Sequence, residues 1–175
     1  MGSMIVPVIE AVEKSDAFCK WQEAHPEGYL AHVFVFVEND VPNGWQIGYV
    51  EGENVVPFLV NGDDVAQGES SEVFKKPDSK IMKLDVDSIK LTVIEAVAKA
   101  REHQEEKFPR EQGQKAICIL QDLPEVGQVW NITFITMTMK TLNIKVDAST
   151  GDIKSAKLVS LFDFVPGTKG KSDEK

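Results

Sequence analysis

The stretch Trp130-Asn131-Ile132-Thr133-Phe134-Ile135 decides the fold, because large apolar side chains recur at every second position over the length of one strand. This spacing puts Trp130, Ile132 and Phe134 on one face of a sheet. The stretch Trp45-Gln46-Ile47-Gly48-Tyr49-Val50 lies 85 positions earlier and repeats the Trp-x-Ile-x-aromatic pattern. We therefore expect one strand with a buried aromatic row in each half of the chain.

The same offset of 85 positions aligns Ile9-Glu10-Ala11-Val12 with Ile94-Glu95-Ala96-Val97. An ungapped match of this kind indicates an internal duplication. We predict an α+β fold of two tandem lobes, in each of which a helix precedes and covers an antiparallel sheet. The expected boundaries are 5–66 for the first lobe, 67–80 for a linker, 81–165 for the second lobe and 166–175 for a polar, disordered tail.

The first lobe is expected to begin with one helix, which starts near Pro7 and stops at His25-Pro26, because a residue before proline is pushed out of the α region. The pair Asn61-Gly62 predicts a hairpin. In the second lobe, Asp87 or Ser88 is expected to cap a helix that ends by Pro109 or Gly113. The predicted strands cover residues 31–37, 45–49 and 55–60 in the first lobe, and 115–120, 129–139, 141–146 and 153–161 in the second.

The composition is that of a globular protein, with 42% hydrophobic and 27% charged residues in a chain of 175. The net charge of -9 disfavours nucleic acid and anionic membrane surfaces as partners. No stretch approaches the ~20 apolar residues of a membrane-spanning helix, and no signal peptide is visible. We therefore expect a cytoplasmic protein; an extracytoplasmic location would follow if an export signal had been removed.

The residues that carry chemistry are few. Cys19 and Cys118 are expected to be buried free thiols, although a bridge between them stays open. The histidines His25, His32 and His103 show no metal-ligand spacing, and no phosphate-binding loop or nucleophile elbow is present. The prediction is therefore a protein that is not an enzyme and that holds neither a metal nor a cofactor.

The second half resembles the PepSY family. The resemblance is carried by the helix Val93-Ile94-Glu95-Ala96-Val97-Ala98-Lys99-Ala100, the Trp130-Asn131-Ile132 strand and the hairpin Val146-Asp147-Ala148-Ser149-Thr150-Gly151-Asp152-Ile153. The first half keeps the helix and the tryptophan strand but replaces the hairpin with Val60-Asn61-Gly62-Asp63-Asp64, so it resembles a diverged copy. The resemblance implies a small cystatin-like fold and a non-catalytic role.

Two functions follow from this comparison. The first is a binding or regulatory protein that takes a protein or peptide partner on an exposed sheet face or in a cleft between the lobes. The second is a small-molecule carrier or sensor with an apolar pocket between helix and sheet. The candidate binding residues are Phe34, Phe36, Tyr49, Met137 and Met139. A structural role is expected for Trp45, Trp130, Asp147 and Gly151.

Overall fold

The structure is a computed structural model that describes residues 5–72, 81–161 and 173–174. It confirms an α+β fold in which helices lie against a large antiparallel sheet. The described α-helices are α1 (Ile5–Glu13), α2 (Asp16–Ala24) and α3 (Val93–Lys107). The described strands are β1 (Tyr29–Glu38), β2 (Val41–Glu51), β3 (Asn54–Asn61), β4 (Asp64–Gln67), β5 (Ser71–Glu72), β6 (Lys115–Leu123), β7 (Gly127–Ile135), β8 (Lys140–Asp147), β9 (Ile153–Ser160) and β10 (Asp173–Glu174).

All of these strands belong to one continuous sheet. Its order is β10-β9-β8-β7-β6-β1-β2-β3-β4, and β5 also pairs with β3. The first long strands of the two halves, β1 and β6, pair antiparallel in the middle, from His32 opposite Gln121 to Glu38 opposite Lys115. Each half then runs outward from this central pair by neighbouring antiparallel connections. The two halves are therefore joined by backbone hydrogen bonds as well as by side-chain packing.

The hydrophobic core lies on one side of the sheet. Its strand residues alternate in sequence and form a single cluster with residues of all three helices. On the strands the most central of these are Val33, Val35, Ile47, Phe58, Cys118, Leu120, Trp130, Ile132, Phe134, Leu142 and Ile144. On the helices they include Ile5, Val12, Phe18, Val93, Ala96 and Val97. The helices thus cover one face, and the side chains between these positions lie on the opposite face.

The prediction of a single helix in the first half is wrong, because the helical conformation is interrupted between α1 and α2. Ser15 caps α2, its side chain accepting a hydrogen bond from the backbone N–H of Phe18 at 3.2 Å. The start of a second helix also changes which residues are buried, and α2 places Phe18 and Trp21 in the core. Cys19 is exposed rather than buried as expected, whereas Cys118 is buried; both thiols are free.

The helix of the second half starts later than predicted. Thr92 forms a capping box with Glu95, and this pair fixes the start of α3 at Val93. The expected caps, Asp87 and Ser88, lie instead in a short 3-10 helix, Val86–Ser88. The end agrees with the prediction, since α3 stops at Lys107, before Phe108-Pro109.

The strands β6, β8 and β9 lie where the alternation predicts them, whereas β7 ends at Ile135 and not at the predicted Met139, because residues 136–139 form the turn into β8. Asn61 and Asp64 close the predicted hairpin between β3 and β4. Of the predicted linker, Ser71–Glu72 pairs with β3, and residues 73–80 lie outside the described residues. Of the predicted tail, Asp173–Glu174 pairs with β9, and the remaining positions lie outside the described residues. No described helix has the length and apolar character needed to cross a membrane.

Candidate binding surface on the open sheet face

The face of the sheet opposite the helices carries a row of large apolar side chains along its central strands. Phe34 lies opposite Ile119, and Phe36 lies opposite Ile117, across the pair that joins the two halves. The rings of Phe34 and Phe36 contact each other edge to face, with centroids 4.9 Å apart. Ile135 on the next strand continues the row. We call these five residues the apolar strip.

The strip is accessible. Phe36 is 41% exposed and Ile135 is 43% exposed, while the other three side chains are partly buried. A groove of about 250 Å³ opens between Phe36, Ile117 and Ile135. Its rim carries Lys115 and Glu38, which form an exposed ion pair at 3.8 Å. Such a pair adds little stability, so its charges are available to a partner that enters the groove.

A polar network borders the strip on β7 and β8. The side-chain amide of Asn143 donates to Asn131 at 2.6 Å and to Thr133 at 2.9 Å. Lys145 donates in turn to the amide oxygen of Asn143 at 2.9 Å. These hydrogen bonds hold the side chains in fixed positions. The open face therefore combines an apolar centre with an ordered polar border, which is the composition of a typical protein interface.

The other end of the strip is closed by a histidine. The His32 ring lies flat against Gly48, and a Cβ at that glycine would come within 2.1 Å of the ring. Burial lowers the pKa of His32, so the neutral imidazole is favoured. Gly48 is thus required for close approach, and the ring extends the apolar surface of the strip without adding a charge.

The five candidate binding residues do not line one cavity. Phe34 and Phe36 lie on the open face, whereas Tyr49 is buried on the helix-covered face. Burial raises the pKa of Tyr49, and the nearby charge of Glu13, which accepts a hydrogen bond from the Tyr49 hydroxyl at 3.2 Å, raises it further. Met137 and Met139 are 79% and 55% exposed in the connection between β7 and β8.

That connection is held by a buried carboxylate. Glu111 accepts hydrogen bonds from the Thr138 hydroxyl and, at 3.3 Å, from the Lys140 ammonium. Burial raises the pKa of Glu111, but these hydrogen bonds and the Lys140 charge outweigh burial and leave the pKa lowered. The methionines therefore lie on an ordered turn, and neither of them lines the groove.

The four residues expected to be structural occupy different surroundings. Trp130 is fully buried, and its indole N–H donates to the Leu91 carbonyl at 3.2 Å. Trp45 is only partly buried, beside an irregularity in the pairing of β1 and β2. Asp147 accepts from the backbone N–H groups of Ser149 and Thr150 at 2.8 and 2.9 Å, and Gly151 has a φ of 83° that favours glycine.

Three residues of the strip escaped the sequence reasoning: Ile117, Ile119 and Ile135. The signal that could have found them is present, because residues 31–37 and 116–120 are apolar at nearly every position. A strand covered on only one side needs apolar residues only at alternate positions. Two such strands, placed side by side, indicate an apolar second face.

The helix-covered side also has openings. A cleft of about 390 Å³ lies over Tyr49, between α1, α2 and residues 83–86. A second opening of about 370 Å³ lies at the end of α2. Among the described residues, no group of three or more His, Cys, Asp or Glu side chains is arranged to hold a metal ion.

No family model, curated protein or solved structure matches this chain. The surface and the contacts described above are therefore the basis for a function.

Proposed function

We propose that this protein is a non-enzymatic binding protein that takes an apolar segment of a protein or peptide partner on the apolar strip. The observation that carries the proposal is a sheet face that no described helix covers, on which Phe36 and Ile135 are exposed beside an open groove. Contiguous exposed apolar surface with a polar border is typical of interaction sites. The groove between the two side chains has room for a large apolar side chain of the partner.

The face is a better docking surface than the edges of the sheet. The outermost strands of the main strand order are β4 with 4 residues and β10 with 2 residues. A short edge strand such as β4 offers few backbone groups to an added strand, and the exposed Lys154 and Lys157 disfavour addition along β9, which β10 pairs only at Lys157 and Leu158. The apolar strip, in contrast, draws on three long strands, so the proposal is face-on binding rather than strand addition.

We also propose that the two halves are copies of one PepSY-like unit. Supporting this, the strand order is the same when counted outward from the central β1–β6 pair in either direction. The copies would have diverged most in their helices, since one half has α1 and α2 where the other has α3 alone. On this proposal, the partner site lies at the seam between the copies, which is the pair of strands β1 and β6. Both copies contribute residues to it.

The experiment is selection of displayed peptides on the full chain, followed by affinity measurements on variants. Phe36→Thr and Ile135→Thr remove exposed apolar contacts while keeping residues that favour strands. Each variant is expected to bind the selected peptides with an affinity about tenfold lower or more, equivalent to about 1.4 kcal/mol. Met137→Thr is the matched control, because it removes an exposed apolar side chain outside the strip. Equal affinities for all three variants would refute strip binding.

A second candidate function, small-molecule carriage, is favoured by the cleft over Tyr49, whose 390 Å³ lies within the range of ligand sites. An apolar fluorescent dye, 1-anilinonaphthalene-8-sulfonate, separates the two. Val86→Trp narrows the cleft, and Ile135→Thr alters the strip. Dye binding that is lost only in Val86→Trp would favour carriage, and binding lost only in Ile135→Thr would favour the strip.

A further inference from the structure

A polar pocket on the helix-covered side of the first half does not belong to the apolar strip. It has a volume of about 370 Å³ and lies where α2 ends, next to the hairpin that joins β2 to β3. Its polar lining comes from His25, Glu51, Asn54, Gln67 and Ser70. It is separated from the strip by the sheet, so an argument about it does not rest on the proposed partner site.

Glu51, a partly buried residue that lines the pocket, has a carboxylate oxygen with no hydrogen-bond partner among the described residues. Oε2 of Glu51 is shielded from solvent and, among the described residues, is the one buried side-chain nitrogen or oxygen that makes no hydrogen bond. Buried polar atoms are nearly always hydrogen-bonded, because leaving one unpaired costs about 1–3 kcal/mol or more for a charged group. An exception of this kind is explained when a ligand supplies the missing donor.

The neighbouring histidine is held in position by the end of α2. Its Nδ1 lies 2.8 Å from the Trp21 carbonyl oxygen, and its ring stacks on the Trp21 indole with centroids 4.9 Å apart. Because Nδ1 is occupied by the helix carbonyl, Nε2 is the ring nitrogen left for a further contact. The His25 imidazole is thus held in position beside Glu51, and no hydrogen bond joins these two side chains in the described structure.

The charges of the pocket indicate what it binds. Among the residues that the structure describes, no lysine or arginine lines it, and a carboxylate, two amides and a hydroxyl supply acceptors. The C-terminal end of a helix, here that of α2, adds a partial negative charge. The net charge of -9 attracts cations to the surface. A transition metal ion fits poorly, because the described residues offer no group of three His, Cys, Asp or Glu side chains for one.

We propose that this pocket binds an ammonium or guanidinium group, with Oε2 of Glu51 as the acceptor of its N–H. The group could be carried by a free small amine or by a lysine or arginine side chain of a peptide, since both present the same donors. The volume admits either. This gives the chain a cation-binding site on the face opposite the proposed partner surface.

The test is titration of the full chain with agmatine and, in a second arm, with an acetylated and amidated Gly-Arg-Gly peptide, followed by NMR and calorimetry. Glu51→Gln keeps the shape of the side chain and removes its charge; it is expected to weaken binding by about tenfold or more. Glu53→Gln is the matched control, because it removes the same charge from an exposed position of the same hairpin. It is expected to leave the affinity within about twofold.

The outcomes separate the alternatives. Tighter binding of agmatine than of the peptide assigns the site to a free small molecule, and the reverse assigns it to a partner side chain; either supports the proposal. Equal losses in Glu51→Gln and Glu53→Gln would mean attraction by net charge alone and would overturn it, as would the absence of binding at millimolar ligand. Unfolding of the ligand-free variants supplies a second check. If Glu51 serves a ligand, Glu51→Gln does not lower the unfolding midpoint, and a clear lowering would overturn the proposal.

Discussion

Trp130 and Trp45 stand at corresponding positions of the repeated pattern, but only Trp130 is enclosed. Its indole is fully buried and its N–H satisfies the Leu91 carbonyl in front of α3. A phenylalanine at this position would leave that carbonyl without its donor and would fill less volume. The tryptophan of the second half therefore stabilises the junction of helix and sheet more than its counterpart does.

We predict that Trp130→Phe lowers the free energy of unfolding by about 2 kcal/mol. Trp45→Phe, the matched control, is expected to lower it by less than about 1 kcal/mol, because Trp45 is only partly buried. Urea unfolding followed by far-UV circular dichroism measures both. Equal losses would contradict the difference in burial.

The carboxylate of Asp147 makes the stability of the fold depend on pH. Burial raises the pKa of Asp147, but hydrogen bonds from the Thr150 and Ser149 backbone and the Lys154 charge outweigh it, so that the pKa is lowered. A lowered pKa means that the carboxylate stabilises the fold above the unfolded value of about 3.9 and loses this contribution as the pH falls through the folded value.

We expect Asp147→Asn to lower the free energy of unfolding at pH 7 by about 1 kcal/mol, and this deficit to shrink as the pH is lowered from about 5 to 3. Lys154→Met removes the ion pair and keeps the backbone hydrogen bonds. Since Lys154 is 40% exposed, its loss is expected to cost less than about 0.5 kcal/mol. Thermal unfolding at several pH values tests this; a deficit that grows on acidification would reverse the assigned sign.

At the scale of elements, the helix starts depend on single side chains. Ser15 caps α2, and Thr92 caps α3. Replacing an N-cap serine or threonine by alanine costs about 0.5–2 kcal/mol. We predict a loss of about 1 kcal/mol for Ser15→Ala and for Thr92→Ala, and recovery of most of it in Ser15→Asn and Thr92→Ser. Guanidinium unfolding measures these values. If the asparagine and alanine variants of Ser15 were equally unstable, the cap would not be what divides α1 from α2.

The same elements show what the sequence could and could not predict. The alternation of residues 129–135 and 141–146 predicts β7 and β8, because a sheet covered on one side needs apolar residues at every second position. The break at Ser15 was missed because Glu13-Lys14-Ser15-Asp16 carries no proline or glycine, and a serine is unremarkable in a helix until its cap geometry is seen. Helix boundaries depend on such local hydrogen bonds, which periodicity does not register.

On the scale of the whole molecule, the pairing of β1 with β6 creates the apolar strip and explains why the sequence alone does not predict it. Each half alone predicts a sheet under a helix, but the apolar strip exists only because Phe34 and Phe36 lie beside Ile119 and Ile117. Which strands of two halves become neighbours is a long-range choice that residue periodicity does not encode. The pocket at Glu51 was missed for a related reason, since His25 and Glu51 approach only after α2 has packed on the sheet.

The pairing of β1 with β6 also predicts that the two halves unfold cooperatively, and Cys118 can serve as the probe of this. It lies opposite Val35 at the seam, it is buried, and burial raises the pKa of its thiol to about 12. A buried thiol with such a pKa reacts very slowly near pH 8, because the thiolate is the reactive form. In a Cys19→Ser chain, Cys118 is therefore expected to resist a disulfide reagent in the native state and to react once the seam opens.

Because one hydrophobic cluster and one sheet span both halves, the seam should open only when the whole chain unfolds. We expect the urea dependence of Cys118 labelling to coincide with the loss of far-UV circular dichroism, with midpoints that agree within error. The reciprocal Cys118→Ser chain, in which exposed Cys19 is labelled without urea, reports the intrinsic rate of the reagent. Labelling of Cys118 at urea concentrations that leave the dichroism intact would mean that the halves separate before they unfold, and that the strip is a hinge between two folded units rather than the centre of one.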